Sequence, residues 1–345
     1  MMQSLLQRLL EPHLSIALRF TQMVSKNKYF AGILIGILFH LAGCQPPQPA
    51  VPLISISQAI PPDAVKMTPE MDLAPPILHS DNWQQPIPLP GAPTTAGLED
   101  SPFITPEGNT LYYFFTPDAD VPAERQIVDG ATGIYVSHWE DGQWGIPERI
   151  ILQDTDKLAM DGCIFVQGQT IWFCSVREGN AREIDIWTAT YQDGEWRNWQ
   201  NAGEPINVAY QVGEMHITSD GQQMYYHSYR PGGLGGMDIW VIQLVNGAWE
   251  APENVSAVNT NGDEGWPYIS PDKSELWFTR TYQGSPAIFR SLWTENGWGE
   301  PELIVSQFAG EPTLDAAGNL YFTHHYIVDG QIREADIYVA YKKTP

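Results

Sequence analysis

From about residue 80 the chain is a succession of short apolar runs, each bounded by Gly, Pro, Asn or Asp. Bounded runs of this length, rich in aromatic and β-branched residues, predict strands rather than helices. Four kinds recur in a constant order. The first opens with a carboxylate and leads to a turn: "EDSPFITPEGN", "MDGCIFVQGQ", "GEMHITSDGQ", "DEGWPYISPDK" and "GEPTLDAAGN". The second is aromatic: "LYYFF", "IWFCS", "MYYHS", "LWFTR" and "LYFTH". The third is "GIYVSHW", "DIWTATY", "DIWVIQL", "AIFRSLW" and "DIYVAYK". Asp141-Gly142, Asp193-Gly194, Asn246-Gly247 and Asn296-Gly297 come next. Such dipeptides favour the tight turns that join antiparallel strands. The fourth run carries Trp144, Trp196, Trp249 or Trp298, at spacings of 52, 53 and 49 residues.

A four-stranded antiparallel unit of this length is the size of a propeller blade. The first three runs occur five times, but the fourth occurs only four times after residue 100. The stretch "DNWQQPIPLP" around Trp83 has the character of a fourth run standing ahead of any complete unit. It is predicted to pair with the C-terminal blade and to close the ring, which removes the exposed edge of an open array. The expected fold is therefore all-β: a five-bladed β-propeller with four antiparallel strands per blade. The third unit, from "ITSDGQQMYYHSYRPGGLGGMDIWVIQLVNGAWEAPENV" onward, resembles the WD40-like β-propeller repeat of TolB and of many envelope lipoproteins. The resemblance covers residues 81–345; units one, two and five depart from it in the Arg-x-Gly-Gly loop. It implies a propeller in the cell envelope and fixes no chemistry, since one fold hosts many functions.

Residues 29–43, "YFAGILIGILFHLAG", form an apolar run behind Lys26 and Lys28. The run is shorter than the roughly 20 residues that span a bilayer and fits a signal peptide. It ends in "LAGC", which resembles the lipobox of bacterial lipoproteins and implies lipid attachment at Cys44. Met23 is an alternative start. Gln45, not Asp, follows the cysteine, so the expected destination is the outer membrane of a cell that has one, facing the periplasm. The expected organisation is a signal peptide over 1–43, a lipidated Pro-rich tether over 44–79, and the propeller over 80–345. Pro-dense segments without hydrophobic period are stiff spacers.

The formal net charge of -23 argues against nucleic acid, whose partners need basic surfaces. A monomer is expected, with an envelope protein or a glycan as partner. Asp100, Asp161, Glu214, Glu264 and Glu311 open the five first strands, which line the channel of a propeller. They are the candidate ring of acids at its mouth, with Glu99 and Asp263 adjacent as substitutes. Carboxylates offer hard oxygen ligands to Ca²⁺ and the paired acids of glycoside hydrolysis. Five-bladed arabinanases are similar in blade number and channel-facing acids. The alternative is architecture, each acid tying backbone of a neighbouring blade.

Tyr229, Trp266, Arg280 and Tyr282 fall in or near loops and are candidate ligand contacts. Arg177 with Asp185, and Arg230 with Asp238, are expected to pair within their loops, leaving Arg280 opposite Ala287 without an acid. His216, His227, His324 and His325 lack convergent metal-ligand spacing and are read as structural. Cys163 and Cys174 flank "IFVQGQTIWF"; counting outward from a Gly168-Gln169 turn places them at a hydrogen-bonded pair, where bridge geometry is poorer. Two function classes follow: a surface-tethered binding or scaffolding module without cofactor, and a carbohydrate-active hydrolase using the channel acids.

Overall fold

The computed structural model describes residues 51–208 and 211–344. The apolar run and Cys44 lie outside them. Strands dominate; the helices among the described residues are single turns, Ile56–Ala59 and Ala123–Gln126. None is long and apolar enough to cross a membrane.

The strands pair into five antiparallel meanders. Their first strands are Leu98–Ile104, Ala159–Gln167, Val212–Ile217, Glu264–Ile269 and Ala309–Leu314. Each packs on the first strand of the next blade, and the last returns to the first, so the five line a closed channel. On each second strand one set of alternate residues is fully buried. Leu111, Tyr113 and Phe115 are fully buried, as are Ile171 and Phe173, Met224 and Tyr226, Leu276 and Phe278, and Leu320 and Phe322. This period of two sets one face of each blade against its neighbour, and burial of such side chains contributes about 1.5–3 kcal/mol apiece.

Ring closure follows the expected route. Ile87 and Pro88 pair with Val339 and Tyr338, and Trp83 bridges to Lys342. Trp83 is fully buried, donates from Nε1 to the Gly318 carbonyl at 2.9 Å, and meets Trp277 edge-on at 5.5 Å. The last blade also touches the first through a single parallel pair, Ala335 with Leu98.

Residues 54–79, expected as tether, lie along the ring instead. Ile77 and Leu78 add a short strand to the outer edge of the fourth blade at Ser306 and Val305. Lys66 forms ion pairs with Glu334 and, at 2.6 Å, with Asp336; Asp72 pairs with buried His324 at 2.8 Å. An extended segment held by ion pairs and one strand addition leaves no hydrophobic period to read, which is why composition alone suggested a free spacer.

Every first strand carries a β-bulge. Register slips by one residue between Asp100 and Phe103, Gly162 and Phe165, Gly213 and Met215, Gly265 and Tyr268, and Gly310 and Thr313. A bulge re-aims side chains, and here it governs what reaches the channel. It also corrects the cysteine register. Cys174 lies opposite Gly162, while Cys163 is itself the bulged residue, and the two are joined by a disulfide with Cα atoms 5.1 Å apart.

Candidate functional site at the channel mouth

The bulges divide the five acids into two sets. Asp161 and Glu264 stand before the bulge, at the register that Glu99 takes in the first blade. Glu214 and Glu311 are bulged residues, and Asp100 occupies the place held elsewhere by Gly162, Gly213, Gly265 and Gly310. The acids are therefore not one five-fold ring.

The first set is architectural. Asp161 pairs with Arg177 at 2.6 Å and accepts from Ser175 Oγ at 2.7 Å. Glu264 pairs with Arg280 at 2.9 Å and accepts the Thr260 N–H at 2.7 Å and its hydroxyl at 2.6 Å. Glu99 accepts the same two groups of Thr95, at 3.0 and 2.5 Å. These contacts overturn the expected Arg pairings. Asp185 instead accepts the Ala181 N–H at 2.7 Å, and Asp238 the Leu234 N–H at 2.6 Å, because loop donors lie nearer than the guanidinium. Arg280 has an acid after all, since Glu264 faces it across the ladder. Among the described residues, Arg230 is the one of the three without a carboxylate partner: Val212 stands where Asp161 does. Arg230 reaches the Pro205 carbonyl at 3.3 Å and lies over the Trp240 ring at 5.3 Å.

The second set converges from blades one, three and five. The Ser101 N–H donates to Glu311 Oε2 at 2.7 Å and to Asp100 Oδ1 at 3.0 Å, and its hydroxyl donates to Glu214 Oε1 at 3.4 Å. Thr323 Oγ1 donates to Glu311 at 3.2 Å, and the Glu311 N–H to Thr279 Oγ1 at 2.8 Å. Burial, then the charge of Asp100 and a hydrogen bond with it, then the charge of Glu214, push the Glu311 carboxyl well above its usual range. Like charges confined together cannot all ionise.

His227 completes the cluster. Its Nδ1 accepts the Trp266 N–H at 3.2 Å, which leaves Nε2–H to face Glu214 Oε2 at 3.4 Å. Burial lowers its pKa to about 3, so the ring is neutral. Asp100, Ser101, Glu214 and His227 open on a cavity of about 170 Å³ whose wall also includes Trp266, Tyr229, the Cys163–Cys174 bridge and the Asp161 and Arg280 of the first set; Glu311 is joined to it through the Ser101 N–H. Tyr282 packs on Phe289 at 6.3 Å, outside this lining. Ser101, Cys163, Trp266 and Glu311 all have φ between 48° and 60°. Such strain in non-glycine residues persists where surrounding structure enforces it, and it clusters at functional sites.

Ser101 and His227 were not among the sequence candidates for the mouth. Their signal was the glycine: a Cβ at Gly213 would come within 2.0 Å of His227 Nε2. Aligning the first strands on Gly162, Gly213, Gly265 and Gly310, rather than on their acids, places Cys163, Glu214, Trp266 and Glu311 in one layer. His324 and His325 belong to the fifth blade, away from this lining, with His324 taken by Asp72. Below the mouth, His216 meets Phe165 and Tyr268 at 4.6 and 4.5 Å, with Phe103 at 6.1 Å, forming an aromatic layer across the channel. Among the described residues no three His, Cys, Asp or Glu side chains have a metal-holding arrangement.

No family model and no curated protein matches the chain. Among solved structures it is similar to the endo-arabinase from Bacteroides thetaiotaomicron, with TM-score 0.49, 15% identity, and 75% of this chain and 98% of that one covered. It is similar also to TolB from Acinetobacter baumannii, with TM-score 0.42, 12% identity, and 73% of this chain and 56% of that one covered. The chain thus spans little more than half the length of that TolB. At these identities and scores the likeness assigns no chemistry.

Proposed function

We propose that this protein is a lipid-anchored binding module of the cell envelope whose channel mouth captures a neutral, hydroxyl-rich unit such as a sugar residue. One observation carries the reading: Asp100 and Glu214 leave their architectural register and line one cavity, with Glu311 joined to them through the Ser101 N–H. Carboxylate oxygens accept from ligand hydroxyls, the neutral His227 N–H donates, and Trp266 and Tyr229 offer apolar ring faces. The acids disfavour anions. Cys44 is the proposed anchor, and outer-membrane residence follows from Gln45 in this reading. Calorimetric titration with mono- and disaccharides tests the mouth. Binding that Asp100→Asn and Glu214→Gln each weaken supports it; binding indifferent to both refutes it. Palmitate labelling lost in Cys44→Ser tests the anchor.

A second reading has its own support. Burial and the neighbouring Asp100 raise the Glu311 carboxyl well above its usual range, and an acid that keeps its proton more tightly than its neighbours is the raw material of acid–base catalysis. Glycoside hydrolysis would then release reducing sugar from oligosaccharides, with loss in Glu214→Gln. Ca²⁺ held by the same acids is the remaining reading, and a melting temperature unchanged by chelator removes it.

A further inference from the structure

Four of the five Trp residues that mark fourth strands are followed three positions later by proline: Trp83 with Pro86, Trp144 with Pro147, Trp249 with Pro252, and Trp298 with Pro301. In the second blade that position is Trp199, after Trp196. The exchange has a direct structural consequence. Proline cannot donate to the ladder, and the other fourth strands are broken into short pieces, such as Gln143–Trp144 and Glu148–Arg149. The fourth strand of blade two runs unbroken from Glu195 to Asn201.

Residues three apart on a regular strand face opposite ways. Here a bulge intervenes: Arg197 pairs with Thr190 and Gln200 with Thr188, and Asn198 takes φ 56°. The extra residue turns Trp199 to the same side as Trp196. Both line one groove of about 1360 Å³ whose walls come mainly from blades one and two and which reaches residues of the other three blades, among them Ile217, Ile269 and Leu314. Tyr112 and Tyr191 extend the aromatic wall; Tyr191 is 43% exposed and packs edge-on to Trp196 at 5.1 Å. The groove runs to the channel end opposite the acid mouth, and its floor is the aromatic layer around His216.

We propose that this groove is a second binding site, and that it takes a neutral oligosaccharide chain. Its volume exceeds the roughly 300–1,000 Å³ of ordinary small-molecule sites, which suits several linked rings rather than one. Partly exposed Trp and Tyr faces match the apolar faces of sugar rings, as in other amphipathic aromatic sites. Asn109, Gln153 and Thr155 supply amides and a hydroxyl along the wall. Charge selects against anionic polymers. Glu107, Glu148 and Glu195 line the groove, and Arg149 is already engaged, donating to the Ala131 carbonyl at 2.5 Å and lying over the Tyr135 ring. The inference stands independently of the mouth, because the aromatic layer separates the two.

The test is calorimetry and tryptophan fluorescence of the purified full chain with neutral hexasaccharides of glucose, xylose, mannose and arabinose. At least one should bind. Trp199→Ala should weaken it about tenfold and Trp199→Phe restore it to within about threefold, the range expected for losing and regaining one aromatic face. Should Trp199→Ala fail to fold, Tyr191→Ala at the exposed rim reads the same wall and should weaken binding severalfold. Absence of binding by every hexasaccharide overturns the proposal. So does binding that survives the Trp199 and Tyr191 substitutions in folded protein, or that is lost only in Glu214→Gln, which would place the sugar at the mouth.

Discussion

Glu311 shows how burial turns a charge into a proton store. Its carboxyl is raised well above the ordinary 4.5 by burial and by Asp100 and Glu214. The folded state therefore holds this proton more tightly than the unfolded chain does. The stability linked to it is fully present below about pH 4.5 and is lost as pH rises through the folded value. Glu311→Gln keeps an acceptor for the Ser101 N–H and a donor for Asp100 without the ionisation. Its melting temperature should exceed that of the wild type at pH 8 by about 2–4 °C, the shift of ~1 kcal/mol in a domain of this size, and the gap should close toward pH 4. A gap that is constant with pH would show that Glu311 does not carry the proton. That Glu311 lies at the mouth was legible in the sequence as one acid opening a first strand. That it differs in kind from Glu264 was not, because the two are set apart by a bulge of one residue, which leaves no mark in composition or period.

At the scale of elements, patterns that repeat were legible and those that do not were missed. The aromatic second strands, the Asn-Gly and Asp-Gly turns and the closing role of Trp83 all follow from period and count. The segment over residues 54–79 has neither, and its docking depends on single contacts. Lys66 bridges Glu334 and Asp336, and the Met67 N–H donates to Glu334 at 2.8 Å. Lys66→Ala leaves two acids without their cation, and burial already raises both. Hydrogen exchange over residues 60–79 should accelerate about tenfold, the effect of losing ~1.4 kcal/mol of local stability, while blades two and three keep their protection. Unchanged exchange there would mean that Ile77, Leu78 and the Asp72–His324 pair hold the segment unaided. The disulfide was misjudged for the same reason as the acids: the count from the turn assumed regular register across Cys163.

The whole molecule is a ring closed by the stretch from Trp83 to Pro88, with a cluster of acids at one end of its channel. Closure rests on Trp83, which is buried between Trp277 and the Lys342 ammonium 3.7 Å from its ring centroid. Trp83→Ala should cost about 3–5 kcal/mol by chemical denaturation, as large aromatic truncations in cores do. A loss below ~1 kcal/mol would show that the ring closes without it. Thermal unfolding of five single variants at pH 7.5 separates the two acids bound to arginine, Asp161 and Glu264, from Asp100, Glu214 and Glu311, the three gathered around Ser101. Asp161→Asn and Glu264→Gln strand the largely buried guanidinium of Arg177 and the partly buried one of Arg280, at about 3–5 kcal/mol each, so both should melt at least ~6 °C below the wild type. Asp100→Asn, Glu214→Gln and Glu311→Gln relieve repulsion within one cluster around Ser101 and should melt at or above it. A uniform fall across all five would contradict the division and return every acid to the architecture of the ring.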